Sequence, residues 1–156
     1  MKEIGLKTED RIKLFIDKGY TGDLDTGFVY NRFGKKLNTI HNGYVSMSCQ
    51  YKLTRCRVFA HQFIYYLKYN KVVDIVDHIN RVKDDNRIEN LREATHLLNA
   101  RNTIGLGYYH DKRNKKNPYQ AHIEVDYKKI YLGGFKTKQE AHQAYLNAKE
   151  LHHNID

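Results

Sequence analysis

The sequence predicts an α+β fold: a mixed helix-and-strand core with a β-rich N-terminal region, then a three-stranded antiparallel sheet packed on one helix. Three observations carry this. Apolar residues recur at helical spacing only in short stretches, strict period-2 alternation appears near the C-terminus, and the runs between are bounded by glycine and by Asn/Asp clusters.

In chain order, residues 8–18 set Ile12, Phe15 and Ile16 among charges and predict a short helix. Gly27-Phe-Val-Tyr and Gly43-Tyr-Val-Ser-Met-Ser then look like hairpin strands. From Val58 to Tyr69, Phe59, Phe63, Tyr66 and Leu67 fall at helical spacing and put His61 on a helix. Val72-Val-Asp-Ile-Val reads as a strand, and the Asp/Asn-rich stretch from Asp77 to Leu91 as an ordered loop. Thr95 suits the N-cap of a helix over 95–102, after which Gly105 and Gly107 mark a linker.

In the tail, Tyr119, Ala121, Ile123 and Val125 alternate with Gln120, His122, Glu124 and Asp126, as in a strand buried on one face. Lys129-Ile-Tyr-Leu repeats the pattern with Ile130 and Leu132 inward. Thr137-Lys-Gln-Glu140 is a capping box, and Ala141, Ala144, Tyr145 and Ala148 form the stripe that would rest on the sheet. The expected division is 1–26 as an N-terminal helix and arm, 27–104 as the core domain, and 105–156 as the sheet-and-helix module.

Apolar residues are 40% of the 156 and charged ones 29%, enough to bury a core and too little bias for disorder. Residues 1–19 hold no run long enough for a signal peptide or membrane span, so a cytoplasmic protein without membrane association is expected. Cys49 and Cys56 lack the spacing of a zinc site and are read as reduced thiols.

The net charge of +9 is unevenly spread: residues 26–73 carry eight Lys or Arg and no Asp or Glu. Arg32, Lys35, Lys36, Lys52, Arg55 and Arg57 are interleaved there with Tyr30, Phe33, Tyr44 and Tyr51. Cations that pair with phosphates beside aromatics that pack or stack point to nucleic acid over a membrane or an acidic protein.

Chemistry concentrates between Val73 and Asn102. Asp77 is a hard oxygen ligand, His78 suits general-base work near neutral pH, and Asn90 and Asn99 are neutral oxygen donors. An Asp-His pair alone says little, since surface and turn histidines outnumber catalytic ones. His61 reads by itself as a packing or capping histidine.

Three pieces in order, Val76-Asp-His-Ile-Asn, Asp85-Asn-Arg-Ile-Glu-Asn-Leu-Arg and Ala94-Thr-His-Leu-Leu-Asn-Ala-Arg-Asn, resemble the HNH endonucleases of the phage and mobile-intron (homing) branch. With Val58-Phe-Ala-His-Gln-Phe-Ile-Tyr the resemblance spans residues 27–102. It implies a ββα-metal nuclease core in which His78 deprotonates the attacking water and Asp77 is a metal ligand. Asn99 stands in the last ligand position, where many relatives have histidine, with His96 as the alternative. Asn90 matches a brace for the hairpin and for His78. The implied cofactor is one divalent ion, Mg²⁺ with Mn²⁺ able to substitute, because Mg²⁺ keeps most of its waters and needs few protein oxygens.

The tail, through Gly107-Tyr-Tyr, Tyr119-Gln-Ala-His-Ile, Ile130-Tyr-Leu-Gly-Gly-Phe and Thr137-Lys-Gln-Glu-Ala-His-Gln-Ala-Tyr, resembles the ethylene-response-factor DNA-binding domain. The resemblance implies a sheet laid in the major groove, with Gln120, His122, Lys129 and Tyr131 on the groove face and Lys112, Arg113, Lys115 and Lys116 in the first turn. Glu124 departs from the arginines usual on that face. The combined expectation is a site-preferring, metal-dependent endonuclease acting on double-stranded DNA without a small-molecule cofactor, its oligomeric state left open with a monomer favoured over a dimer. The alternative is a non-catalytic DNA-binding regulator on the same scaffold.

Overall fold

The computed structural model describes residues 5–152. The chain forms two compact units, Met1–Asn99 and Ala100–Asp156. In the first, α1 (Thr8–Asp17) leads to β1 (Thr21–Gly22) and β2 (Val29–Tyr30), which pair antiparallel. A second antiparallel sheet holds β3 (Ile40–His41), β4 (Tyr44–Tyr51) and β5 (Thr54–Phe59) in that order, and α2 (Ala60–Tyr69) follows directly.

β6 (Val76–His78) and β7 (Leu91–Glu93) make a two-stranded ladder in register Val76 to Glu93, Asp77 to Arg92 and His78 to Leu91. A 3-10 turn, Ile88–Asn90, precedes β7, and α3 (His96–Asn102) comes after it. Strand, strand and helix thus follow one another, the ββα order expected.

One hydrophobic core serves the whole first unit: Ile12 and Phe15 from α1, Val29, Met47, Cys56 and Val58 from the strands, Phe63 and Ile64 from α2, and Leu91 from β7. The helix expected in residues 8–18 is therefore part of this core and does not stand off as an arm. α2 can follow β5 closely because Ala60 at its start is fully buried, and it stops at Asn70, whose left-handed φ of 48° turns the chain out.

Two expectations need correction here. The strand placed at 72–76 begins at Val76, with Val72 and Val73 packed against the core outside any strand. The stretch 77–91 is not all loop: β6 runs to His78 and the 3-10 turn closes 88–90. Short strands paired only to each other leave no apolar period long enough to read.

The second unit is a three-stranded antiparallel sheet in the order β10 (Lys128–Phe135), β9 (Tyr119–Val125), β8 (Tyr108–His110), with α4 (Lys138–His152) packed on it. The capping box forms as read: Glu140 N donates to Thr137 Oγ1 and Thr137 N to Glu140 Oε2, both at 3.2 Å. Ile123, Tyr145 and Ala148 make the core. Ile130 is 37% exposed, contrary to the inward position expected, and the register shifts between Tyr131 and Gly133, which interrupts the period-2 rule.

The division falls at 99/100, earlier than the 104/105 expected. Lys149 Nζ donates to Thr103 O at 2.8 Å, Gly105 N donates to Tyr145 Oη at 3.3 Å, and a Cβ at Gly107 would overlap the Tyr145 ring. Residues read as linker are thereby tied into the second unit. Among the described residues no helix is long and apolar enough to cross a membrane.

Candidate active site

β6 ends at His78, where Arg81 N donates back to His78 O at 2.9 Å and Arg81 takes a φ of 65°. That turn is laced by Asn90. Its Oδ1 accepts from Asn80 N at 2.9 Å, its Nδ2 donates to Asp85 O at 2.7 Å, and its own carbonyl accepts from Ile79 N at 2.9 Å. Asn80 adds a bond from Nδ2 to Asp85 Oδ2 at 2.7 Å, and Arg87 holds the same carboxylate at 2.9 Å. The Arg87 bonds first, and then Asn80, draw the Asp85 carboxyl down to about 2. A polar loop of this length stays ordered because its backbone groups are satisfied internally.

Asp77 and His78, adjacent on β6, are both buried. Asp77 lies opposite Arg92, whose Nε donates to Oδ2 at 3.0 Å, with Nη2 at 2.9 Å from the same oxygen as an ion-pair contact outside hydrogen-bond alignment. His78 is held from another direction. Its Nε2 lies 3.2 Å from Asn86 Oδ1, and Asn86 Nδ2 donates to Asp84 O at 3.1 Å. Because the amide nitrogen is committed to a carbonyl, the atom facing His78 is an acceptor, so Nε2 carries the proton and Nδ1 the lone pair. Burial pushes the His78 imidazole below its ordinary value, partly offset by the Asn86 bond and the Asp77 charge.

Asn86 is only 2% exposed, and the segment around Gly27 backs it. Gly27 has φ +70°, and a Cβ there would overlap the backbone of Asn86 and Arg87, while Ile88 N donates to Leu24 O at 2.9 Å. The loop beside His78 is thus braced by chain some sixty residues upstream. In the sequence, Asn86 has no role of its own beyond its place in the Asp85-Asn-Arg motif, and Gly27 reads only as hairpin punctuation.

His61 also joins this cluster. Its ring meets His78 edge-on with centroids 5.1 Å apart, lies 5.1 Å from Tyr44 and stacks on Phe59 at 5.6 Å. Its Nδ1 is buried without a hydrogen-bond partner. Burial, with the neighbouring His78 second, takes its pKa from an ordinary 6.5 to about 3. The unfolded chain therefore binds a proton below pH 6.5 that the folded one refuses, so stability is full above that pH and is lost as pH falls toward 3. Between pH 7 and pH 5 this costs about 2 kcal/mol, since each unit of pKa difference is worth about 1.36 kcal/mol. Urea titrations followed at the α2 amides should show that drop in the wild type, and His61→Phe should remove most of it. An unchanged pH slope in the variant would exclude His61 as the source.

The remaining expected site residues are placed as follows. Asn99, half-buried, lies on α3, and His96 is exposed at the start of that helix. Arg55 Nη2 donates to Ser48 Oγ at 2.7 Å across the β4–β5 ladder, with Arg57 two residues on. Lys52 lies over the Tyr51 ring (5.5 Å), Lys36 over Phe28 (2.9 Å), and Arg32 over Phe33 (4.6 Å). Lys35 is exposed in the same turn as Arg32.

In the second unit, Lys112, Arg113, Lys115 and Lys116 are in the β8–β9 loop, where Arg113 pairs with Asp111 at 3.2 Å. His122 lies opposite Tyr131 and Lys129 opposite Glu124, with Lys129 Nζ 5.7 Å from the Tyr109 ring. Gln120 departs from the expectation of an outward base reader. It is buried, its Oε1 accepts from Tyr131 Oη at 2.6 Å, and its Nε2 donates to Asn117 O. Its amide is occupied in shaping the sheet face.

Residues 58–101, which span the Asp77–His78 hairpin, α2 and most of α3, match the HNH endonuclease family model. Among solved structures, the chain is similar to one titled "DNA binding and cleavage by the HNH homing endonuclease I-HmuI", at 27% identity and a TM-score of 0.44. That match covers 53% of this chain and 50% of the other, so it spans half the length of that protein. No curated protein matches the chain.

Proposed function

We propose that this protein is an HNH-type DNA endonuclease that hydrolyses phosphodiester bonds with His78 as general base. The observation that carries the reading is the fixed imidazole: inside the family match, His78 is buried on a braced hairpin with Nε2 held by Asn86, the tautomer that puts the lone pair on Nδ1. Burial keeps the ring neutral at physiological pH, the state a base needs. Nδ1 takes a proton from water, the water oxygen attacks phosphorus in line as the P–O3′ bond breaks, and the departing 3′ oxygen takes a proton from solvent water to leave as a hydroxyl. Asn90 contributes by fixing the turn at which β6 stops.

Among the described residues no three His, Cys, Asp or Glu side chains cluster as a metal cage. A hard cation that keeps most of its water does not need one, and a carboxylate with an amide oxygen is a suitable donor pair for it. Asp77 and Asn99 would hold such an ion, with Mg²⁺ the choice and Mn²⁺ a substitute. When bound it supplies charge stabilisation at the phosphoryl group and the departing oxygen. The acid-free segment 26–73 supplies the attraction for double-stranded DNA. The second unit supplies a second contact through Lys129, Tyr131, His122 and the β8–β9 loop, giving site preference of the homing kind.

A second reading, a DNA-binding regulator without activity, is favoured by one observation: the Asp77 carboxylate is engaged by Arg92. Incubation of the full chain with supercoiled plasmid and Mg²⁺, with and without chelator, separates the two. The endonuclease converts plasmid to nicked or linear forms only when the metal is present. Plasmid that is bound and left intact at every Mg²⁺ and Mn²⁺ concentration establishes the regulator.

A further inference from the structure

Between α1 and the end of β5 lies a cleft of about 360 Å³, lined by Thr8, Arg11, His41, Arg57, Phe59 and Gln62 among others. None of its lining residues is acidic. Of the two carboxylates in the first turn of α1, Glu9 is paired with Lys13 at 2.7 Å and Asp10 is exposed; neither lines the cleft. Arg11 Nε is buried without a hydrogen-bond partner, and among the described residues neither Arg11 nor Arg57 makes an ion pair. A buried donor that the protein leaves unsatisfied is open to a water or an anion as its partner. Two guanidinium groups with donors to spare, around a hollow with a neutral amide, match a tetrahedral oxyanion.

The cleft adjoins the site. Phe59, which lines it, stacks on His61, and His61 meets His78 edge-on, so two ring contacts join the cleft to the proposed base. A DNA strand carries a phosphate about every 3.4 Å along the helix axis, so a strand with one phosphate at His78 has others within reach of the cleft.

We propose that this cleft is a phosphate-binding site that holds a backbone phosphate flanking the one cut, with Arg11 and Arg57 as the two anchoring cations. The phosphate chemistry rests on the cleft alone, and its assignment to DNA rests on the endonuclease reading. It gives α1 a role in substrate placement that composition did not suggest.

The test uses the full chain in chelator, so that nothing is cut. In one arm, anisotropy of a labelled duplex is followed across a salt series for wild type, Arg11→Gln, Arg57→Gln and Lys13→Gln, the last as an α1 cation outside the cleft. Each arginine variant should weaken binding to all sequences and flatten the log K against log salt slope by about one, with Lys13→Gln leaving the slope unchanged. In the other arm, inorganic phosphate is titrated against chloride at equal ionic strength while the Arg11 Nε–H resonance is observed in the wild type, which needs no variant to fold. A flattened slope in both arginine variants supports the proposal, and a phosphate-induced shift of Arg11 Nε–H supports it further. A shift without any slope change overturns the DNA assignment in favour of a small phosphate ligand. If neither the slope nor the Arg11 Nε–H resonance changes, the site is overturned. Should the wild type bind no duplex, the endonuclease reading falls, and the phosphate titration alone decides the cleft.

Discussion

Replacing His78 by alanine is expected to lower the single-turnover cleavage rate by about 10²–10⁴-fold, the usual contribution of a general base, with DNA affinity nearly unchanged. The imidazole acts on water in the transition state and touches little of the bound ground state, so the loss should fall on kcat and spare KM. His78 also contacts the rings of Tyr44 and His61, so truncation opens a small cavity in a buried cluster. His78→Gln retains more of the volume but cannot act as the base, and should be as inactive as His78→Ala while staying closer to wild-type stability. Either variant cutting at the wild-type rate in Mg²⁺ would remove His78 from the mechanism.

The second large effect is expected at Asn86, which never touches the substrate in this scheme. Its Oδ1 is the acceptor that holds the proton on His78 Nε2, so a positioning role follows from one bond of 3.2 Å. Asn86→Leu keeps a similar volume and removes the acceptor; the ring is then no longer held to one tautomer, and the lone pair leaves Nδ1 for part of the time. Loss of a group that orients a site histidine typically costs about 10–100-fold, here in kcat with KM unaffected. A merely structural role would not move the tautomer, which ¹⁵N spectra of His78 report directly. The wild type should show a protonated Nε2 and an unprotonated Nδ1, Asn86→Leu a mixture, and Asn86→Asp, which keeps an acceptor, the wild-type pattern. A wild-type ring protonated on Nδ1 would refute the assignment before any variant is made.

These two effects separate what is local from what is assembled. His78 could be singled out from the chain because its chemistry is intrinsic to the side chain and its neighbours Asp77, Asn90 and Asn99 recur in a recognisable order. Asn86 could not. One more asparagine in a loop that already holds Asn80 and Asn90 looks like turn chemistry, and its partner is decided by how the loop folds back over β6. Gly27 is the same kind of case: its glycine is required by backbone that approaches from the far side of the loop.

By itself, the sequence determined the α+β class, α1, the helix after β5, the capping box of α4, the burial of Ala121 and Ile123, and the acid-free basic segment. All of these follow from local periodicity or composition, which do not depend on what lies across the core. Tertiary structure alone decided the rest. It set Arg92 against Asp77, brought His61 to His78, buried Gln120 beneath Tyr131, carried residues 100–107 into the second unit, and left Arg11 and Arg57 around one cleft. Each of these joins elements distant along the chain or opposed across a ladder. A side chain's type states which bonds it can make, and only packing chooses which of them it does make.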